Sequence, residues 1–344
     1  MQEFYSCKES LYMGLRGRNI ADCIADGMLE NPAHLAAFLG LPVEDATGDR
    51  DHYGMNSLLW AAYGGGNVDV VRALLETRVF NCDDCCHDGQ NALIYAVQGG
   101  NVRLTQMLLE YHQFDDLREA LLYAAMSDQH EMFLALWKHV GEDADMLPIE
   151  QSDDGRNLLH YAGCAETAKL LVRLGVDPAA ADDYGNTPLH WVSDPGVIKV
   201  LVSDRRVDVN KTDCYGRTPL HSASDRFEDN PSTVLALLQG GATDHLRTPR
   251  GDAAIHIAAR GGNVMVIEQL LLIYEPESWR YVVDIPNDEG SDTALHIAAR
   301  SGDARAVQTL MSLGASIRRC NARRKTPLCV AANDDLRAMM LAAE

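Results

Sequence analysis

At 344 residues the chain is longer than a single hydrophobic core comfortably supports, so it is either several domains or an array of units that pack on their neighbours. A formal net charge of −20 argues against a phosphate-backbone binder and against an anionic membrane surface. It leaves two readings open, a basic partner or charge that serves solubility alone. Nine cysteines without a framework suggest a reduced compartment, and no apolar run approaches the ~20 residues of a membrane span.

In chain order, an apolar pair, two spacers and a second apolar pair recur. The first copy is His34-Leu35 with Phe38-Leu39, read as the outer helix of an atypical cap whose inner helix is 18–29. Val70-Val71 with Leu74-Leu75 and Leu104-Thr105 with Leu108-Leu109 follow. Met132-Phe133 with Leu136-Trp137 lies in a degenerate stretch, 116–150. Later copies begin at Thr167, Val197, Thr233, Val266, Ala306 and Asp335. From Phe38 to Met339 is 301 residues over nine intervals, a mean of about 33. The spacing i, i+1, i+4, i+5 paints a broad helical stripe, which one helix cannot bury alone but a stack can.

Upstream of each stripe lies a second element: Thr187-Pro188-Leu189-His190, Thr218-Pro219-Leu220-His221 and variants ending in His160, His256, His296 and Cys329. Thr is a good N-cap and Pro costs nothing at the first helical position. Asp182-Asp183-Tyr184-Gly185 and Asp213-Cys214-Tyr215-Gly216 supply turns before the cap. Together these motifs resemble the ankyrin-repeat family over nearly the whole chain. The resemblance implies an all-α solenoid of stacked helix pairs with short β-hairpin fingers. We expect one domain, 1–344, with an N-terminal cap (1–46), two repeats (47–115), the degenerate repeat (116–150), five repeats (151–318) and a truncated cap (319–344).

Insertions fall at 141–152 and 272–289. In the second, Trp279, Tyr281 and Val283 alternate, as residues on one face of a strand would. Cys82-x-x-Cys85-Cys86-His87 has zinc-like spacing but lacks a second ligand pair, so no metal and no other cofactor is expected. The motif histidines lie a repeat apart, too far to share a metal, and the family resemblance makes them structural.

The resemblance implies protein binding through the concave groove and the fingers, not catalysis. It places the variable positions at Tyr53, Tyr184, Tyr215 and Arg217 on finger tips, at Tyr63, Gln98, Arg260 and Arg300 on inner helices, and at Trp191 beside a motif histidine; Trp279 comes from the long finger. An enzyme or enzyme regulator with a site in 116–170 is the alternative. A weaker likeness to targets of asparagine hydroxylation falls on Asn210. The expected molecule is a monomer that binds a protein, basic by the charge argument, with no nucleic acid or membrane partner. With no secretory signal in MQEFYSCKES, it is expected in the cytoplasm, with nuclear and host-delivered locations left open.

Overall fold

The computed structural model describes residues 50–51, 53–63, 67–114, 117–140, 154–225 and 230–342. The stretches expected as capping helices, 18–29 and 31–39, the expected insertion at 141–152 and finger residue His52 lie outside the described residues. The chain divides into two compact units, one holding 50–124 and 129–140, the other 125–128 and 154–342.

In the first unit, α1 (Ser57–Tyr63) is followed by α2 (Val68–Glu76), and α3 (Ala92–Gln98) by α4 (Val102–Tyr111). Helix α1 packs on α3, and α2 on α4. Residues 118–140, where the motif degenerates, still form a helix pair, α5 (Arg118–Met126) and α6 (His130–Val140). Leu121, Ala124, Met132, Phe133 and Leu136 there are fully buried, so the stripe survived where the turn signature was lost.

The second unit repeats the pairing. A 3-10 turn (Leu158–Tyr161) precedes α7 (Ala165–Arg173), then α8 (Pro188–Trp191) with α9 (Pro195–Val202) and α10 (Pro219–Ser224) with α11 (Pro231–Gln239). Next come α12 (Ala254–Gly261) with α13 (Val264–Leu271), a short α14 (Trp279–Val283), α15 (Ala294–Ser301) with α16 (Ala304–Ser312), and α17 (Pro327–Val330) with α18 (Asp334–Ala342). First helices stack on first helices and second on second. The Ala-Ala pairs let them approach: Ala258, Ala259, Ala298 and Ala299 are all fully buried.

Side chains cap both helix types. Asn67, Asn101, Asp194, Asn230 and Asp303 accept N–H bonds at the starts of second helices. At the first helices the motif histidine caps in reverse. Nδ1 of His160, His190, His221, His256 and His296 accepts the N-cap N–H at 3.0–3.2 Å. That fixes the neutral tautomer with the proton on Nε2, which donates to a carbonyl of the next finger (Asn186, Arg217, Leu246, Ile285 and Lys325) at 2.9–3.2 Å.

The fingers are hairpin turns with little strand character, the described residues holding one isolated antiparallel bridge, Cys85 to Asn91. In most, the first residue donates to the carbonyl four residues on, as from Asp182 to Asn186 at 2.8 Å and Asp213 to Arg217 at 2.9 Å, and in one five residues on, from Asn287 to Asp292 at 2.8 Å. Gly185 takes the left-handed conformation that the turn requires, with φ of 79°. One further bond ties finger to finger, as from the Cys214 N–H to the Tyr184 carbonyl at 2.8 Å.

Trp279, Tyr281 and Val283 do not share a strand face, because they lie on helix α14. The helix turns Val283 fully inward and leaves Tyr281 75% exposed, whereas Trp279 is half-buried with its indole N–H on the Tyr274 carbonyl at 3.1 Å. Pro276 and Glu277, a helix-start signal, override the alternation.

Burial pushes the pKa of all five motif histidines below the ordinary value of 6.5. The unfolded chain therefore takes up protons below about pH 6.5 while the folded chain does not, so stability is full above that pH and falls as pH drops through the depressed folded values. Urea midpoints should decline steadily from pH 7 to 5, before the carboxylates titrate. A flat profile over that window would show that these rings are not held neutral.

Candidate partner-binding surface

The three finger tyrosines occupy one position of the repeat, Tyr53 in the first unit and Tyr184 and Tyr215 in the second. Their backbone is held at the turn: the Tyr184 and Tyr215 N–H groups donate to the first aspartate of their own finger at 3.0 and 2.9 Å, and the Tyr53 and Tyr184 carbonyls accept from the next finger. Their side chains are 38%, 51% and 63% exposed, respectively. Each of these three fingers thus holds a large amphipathic ring on a hydrogen-bonded turn.

The inner-helix candidates Tyr63, Gln98, Arg260 and Arg300 share one register position, four residues after the motif histidine or its equivalent. Tyr63 is half-buried between Trp60 and Tyr95, edge-on to each at 5.7 and 5.5 Å. Gln98 is half-buried. Arg260 reaches Asp252 at 2.5 Å and Arg300 reaches Asp292 at 2.8 Å, in both cases the finger residue eight positions earlier. Arg217 sits at the finger end of the same brace and pairs with Asp225, at the helix end, at 3.1 Å. The brace is therefore one structural element that runs in two polarities. In the second unit these arginines anchor the finger to the helix before they meet any partner.

Trp191 serves the scaffold as well. Its indole donates to the Asp182 carboxylate at 3.0 Å, as Trp60 does to Asp51 at 2.9 Å. The guanidinium of Arg156, which is buried, lies 3.6 Å from the Trp191 ring centroid and pairs with Asp154 and Asp182. Asp182 also accepts from Asn186 and Tyr184, and these bonds hold its carboxyl below the usual range against the opposing cost of burial. Trp191 remains 41% exposed.

The cysteine cluster does not converge. Cys82 is buried and its thiol is pushed up to about 11, first by burial and then by Asp83 and Asp84. Cys85 is exposed and donates to the Asp83 carbonyl, while Cys86 is buried and accepts the Tyr95 hydroxyl at 3.2 Å. In residues 154–170, His160 is bonded through both ring nitrogens and Cys164 donates to the Thr167 hydroxyl at 3.2 Å, so the two do not form a nucleophile–base pair. The Asn210 amide is spent on the next repeat, its Oδ1 accepting the Thr243 N–H at 2.8 Å.

The second unit also holds a groove of about 670 Å³ that sequence reasoning missed. Arg250, Arg260, Arg300, Arg323 and Lys325 line it, facing Asp252, Glu289 and Asp292. The signal lay in a local run, because 316–330 carries Arg318, Arg319, Arg323, Arg324 and Lys325 and no acid. Averaging charge over the chain concealed it.

Family models agree with this architecture. Residues 50–109 match a model of ankyrin repeats in many copies, and 159–245, 226–321 and 255–342 match one of three ankyrin repeats. The chain belongs to the ankyrin-repeat family. Over 249 residues, 70% of this chain, it is 24% identical to E3 ubiquitin-protein ligase KEG of Arabidopsis thaliana, covering 13% of that protein. Over 106 residues, 30% of the chain, it is 30% identical to the fowlpox virus ankyrin repeat protein FPV022, covering 18% of it. The chain thus spans a small part, under a fifth, of each of these two relatives. Ankyrin repeats are generally protein-interaction modules. Among the described residues, no helix is long and apolar enough to cross a membrane.

Because neighbouring repeats carry the brace in opposite polarity, it should tolerate exchange. Arg217→Asp alone places two carboxylates together and should cost about 1 kcal/mol, and adding Asp225→Arg should recover most of it. Urea unfolding of the single and double variants measures this. A double variant no more stable than the single one would mean that the polarity is fixed by surroundings other than the pair.

Proposed function

We propose that this ankyrin-repeat chain works by holding a partner protein through its fingers and groove. The observation that carries the reading is the placement of Tyr53, Tyr184 and Tyr215, exposed rings on turns whose backbone bonds are already satisfied. The large area and two torsions of an exposed tyrosine make it an effective binding anchor. Trp191 and Trp279 are partly exposed, and the Arg217, Arg260 and Arg300 side chains stay 33%, 46% and 52% exposed at the brace. Tyr63 and Gln98 are half-buried and would contribute at the rim. Chemistry within 154–170 is not favoured, since His160 and Cys164 are engaged in structure.

The charge of −20 would draw a cationic partner at long range, whereas the groove of the second unit is locally cationic. Affinity capture from cell lysate tests the reading, comparing the native chain with a Tyr53→Ala, Tyr184→Ala, Tyr215→Ala variant. The variant should keep its helical circular dichroism and lose the captured partner, a fall of at least about ten-fold for two or more lost anchors. Capture of the same proteins by both chains would assign the tyrosines to the scaffold.

A further inference from the structure

We propose that the groove between the fingers at 248–252, 287–292 and 321–325 docks an acidic segment of a partner protein, through its carboxylates. This rests on the protein-binding reading and names the chemistry of one of its sites. Within a chain of charge −20, the groove wall carries five cations against three carboxylates. Two of the carboxylates, Asp252 and Asp292, are already matched by Arg260 and Arg300. Arg250, Arg323 and Lys325 are exposed, have no carboxylate partner among the described residues, and oppose Glu289 alone.

The last finger adds a second observation. The corresponding turn position is glycine in the fingers at Gly54, Gly89, Gly155, Gly185, Gly216 and Gly251, with φ between 69° and 79°, and Ser291, with φ of 52°, in the finger at 287–292. In the finger at 321–325 it is Arg324, with φ of 59°. A non-glycine residue costs about 1–2 kcal/mol in the left-handed region, and Arg324 is an exposed cation on the finger that carries Arg323 and Lys325, beside the groove and not in its lining. Gly251 cannot make that exchange, because a Cβ there would lie 2.3 Å from the Asp288 backbone nitrogen. A volume of about 670 Å³ suits a few peptide residues, and guanidinium groups pair with carboxylates in a planar, two-bond fork. A long polyanion fits less well, because beyond this patch it would meet the chain's excess of acids.

The test uses the full chain and a fluorescein-labelled glutamate-rich peptide, with a glutamine-for-glutamate control of the same length, read by fluorescence polarisation at low and high salt. The glutamate peptide should bind at least about ten-fold tighter than the control, with the margin shrinking at high salt. Arg250→Gln, Arg323→Gln, Lys325→Gln together should abolish that margin. Arg103→Gln, an exposed arginine of the first unit, should leave it unchanged. Equal binding of the two peptides, or full binding by the triple variant, overturns the proposal. So does tighter binding of a single-stranded oligonucleotide of equal charge, which would make the patch a general polyanion site. A cellular partner lost by the tyrosine variant but kept by the triple variant would leave the binding reading standing and remove this site from it.

Discussion

Each motif histidine makes one hydrogen bond on which the stacking of the second unit depends. Its Nε2–H reaches the backbone of the following finger, so the ring that closes the first turn of one helix also fixes the height of the next repeat. The bond is made by a neutral group in a buried place, which spares the desolvation of a charge. Because Nδ1 is occupied by the cap N–H, the proton has one place to be. Five such bonds in series set the position of the five fingers that follow His160, and thereby of Tyr184, Tyr215 and the basic finger at 321–325.

Above this frame, variation is confined to a few positions that the frame leaves open. Four residues after the histidine, the chain places Asp225, Arg260 and Arg300, and each finds the opposite charge eight residues earlier in its own finger. Cross-repeat bonds from Asn287 to Asp252 and from Asn321 to Asp292 extend the same network to the next finger at 2.9 and 2.7 Å. A repeat protein can afford such substitution because each unit answers to its neighbours alone. The residues lining the groove are thus braces and candidate recognition groups at once, and the donors that the brace leaves unused are what a partner can reach.

The charge distribution makes the same point about scale. Taken over the chain, the excess of acids suggests a basic partner. Taken over the groove, uncompensated arginine and lysine suggest an acidic one. At the ~8 Å screening length of physiological salt, the local arrangement governs what docks and the total charge governs how partners approach.

The sequence by itself determined the repeat, its period and the paired helices, because the apolar stripe, the Thr-Pro cap and the turn glycine are local signals with local physical causes. Through the resemblance those motifs carry, it implied structural histidines and finger-tip positions for Tyr53, Tyr184 and Tyr215. Tertiary structure decided which polar groups had intramolecular partners. Arg217, Arg260 and Arg300 look like free surface cations until the fold brings an aspartate to each. Trp191 looks variable until Arg156 stacks on it, and Trp279 looks like strand until packing selects a helical turn. Pairing across a repeat depends on the angle between finger and helix, which no short stretch of sequence encodes, and that angle also gathers Arg250, Arg323 and Lys325 into one groove.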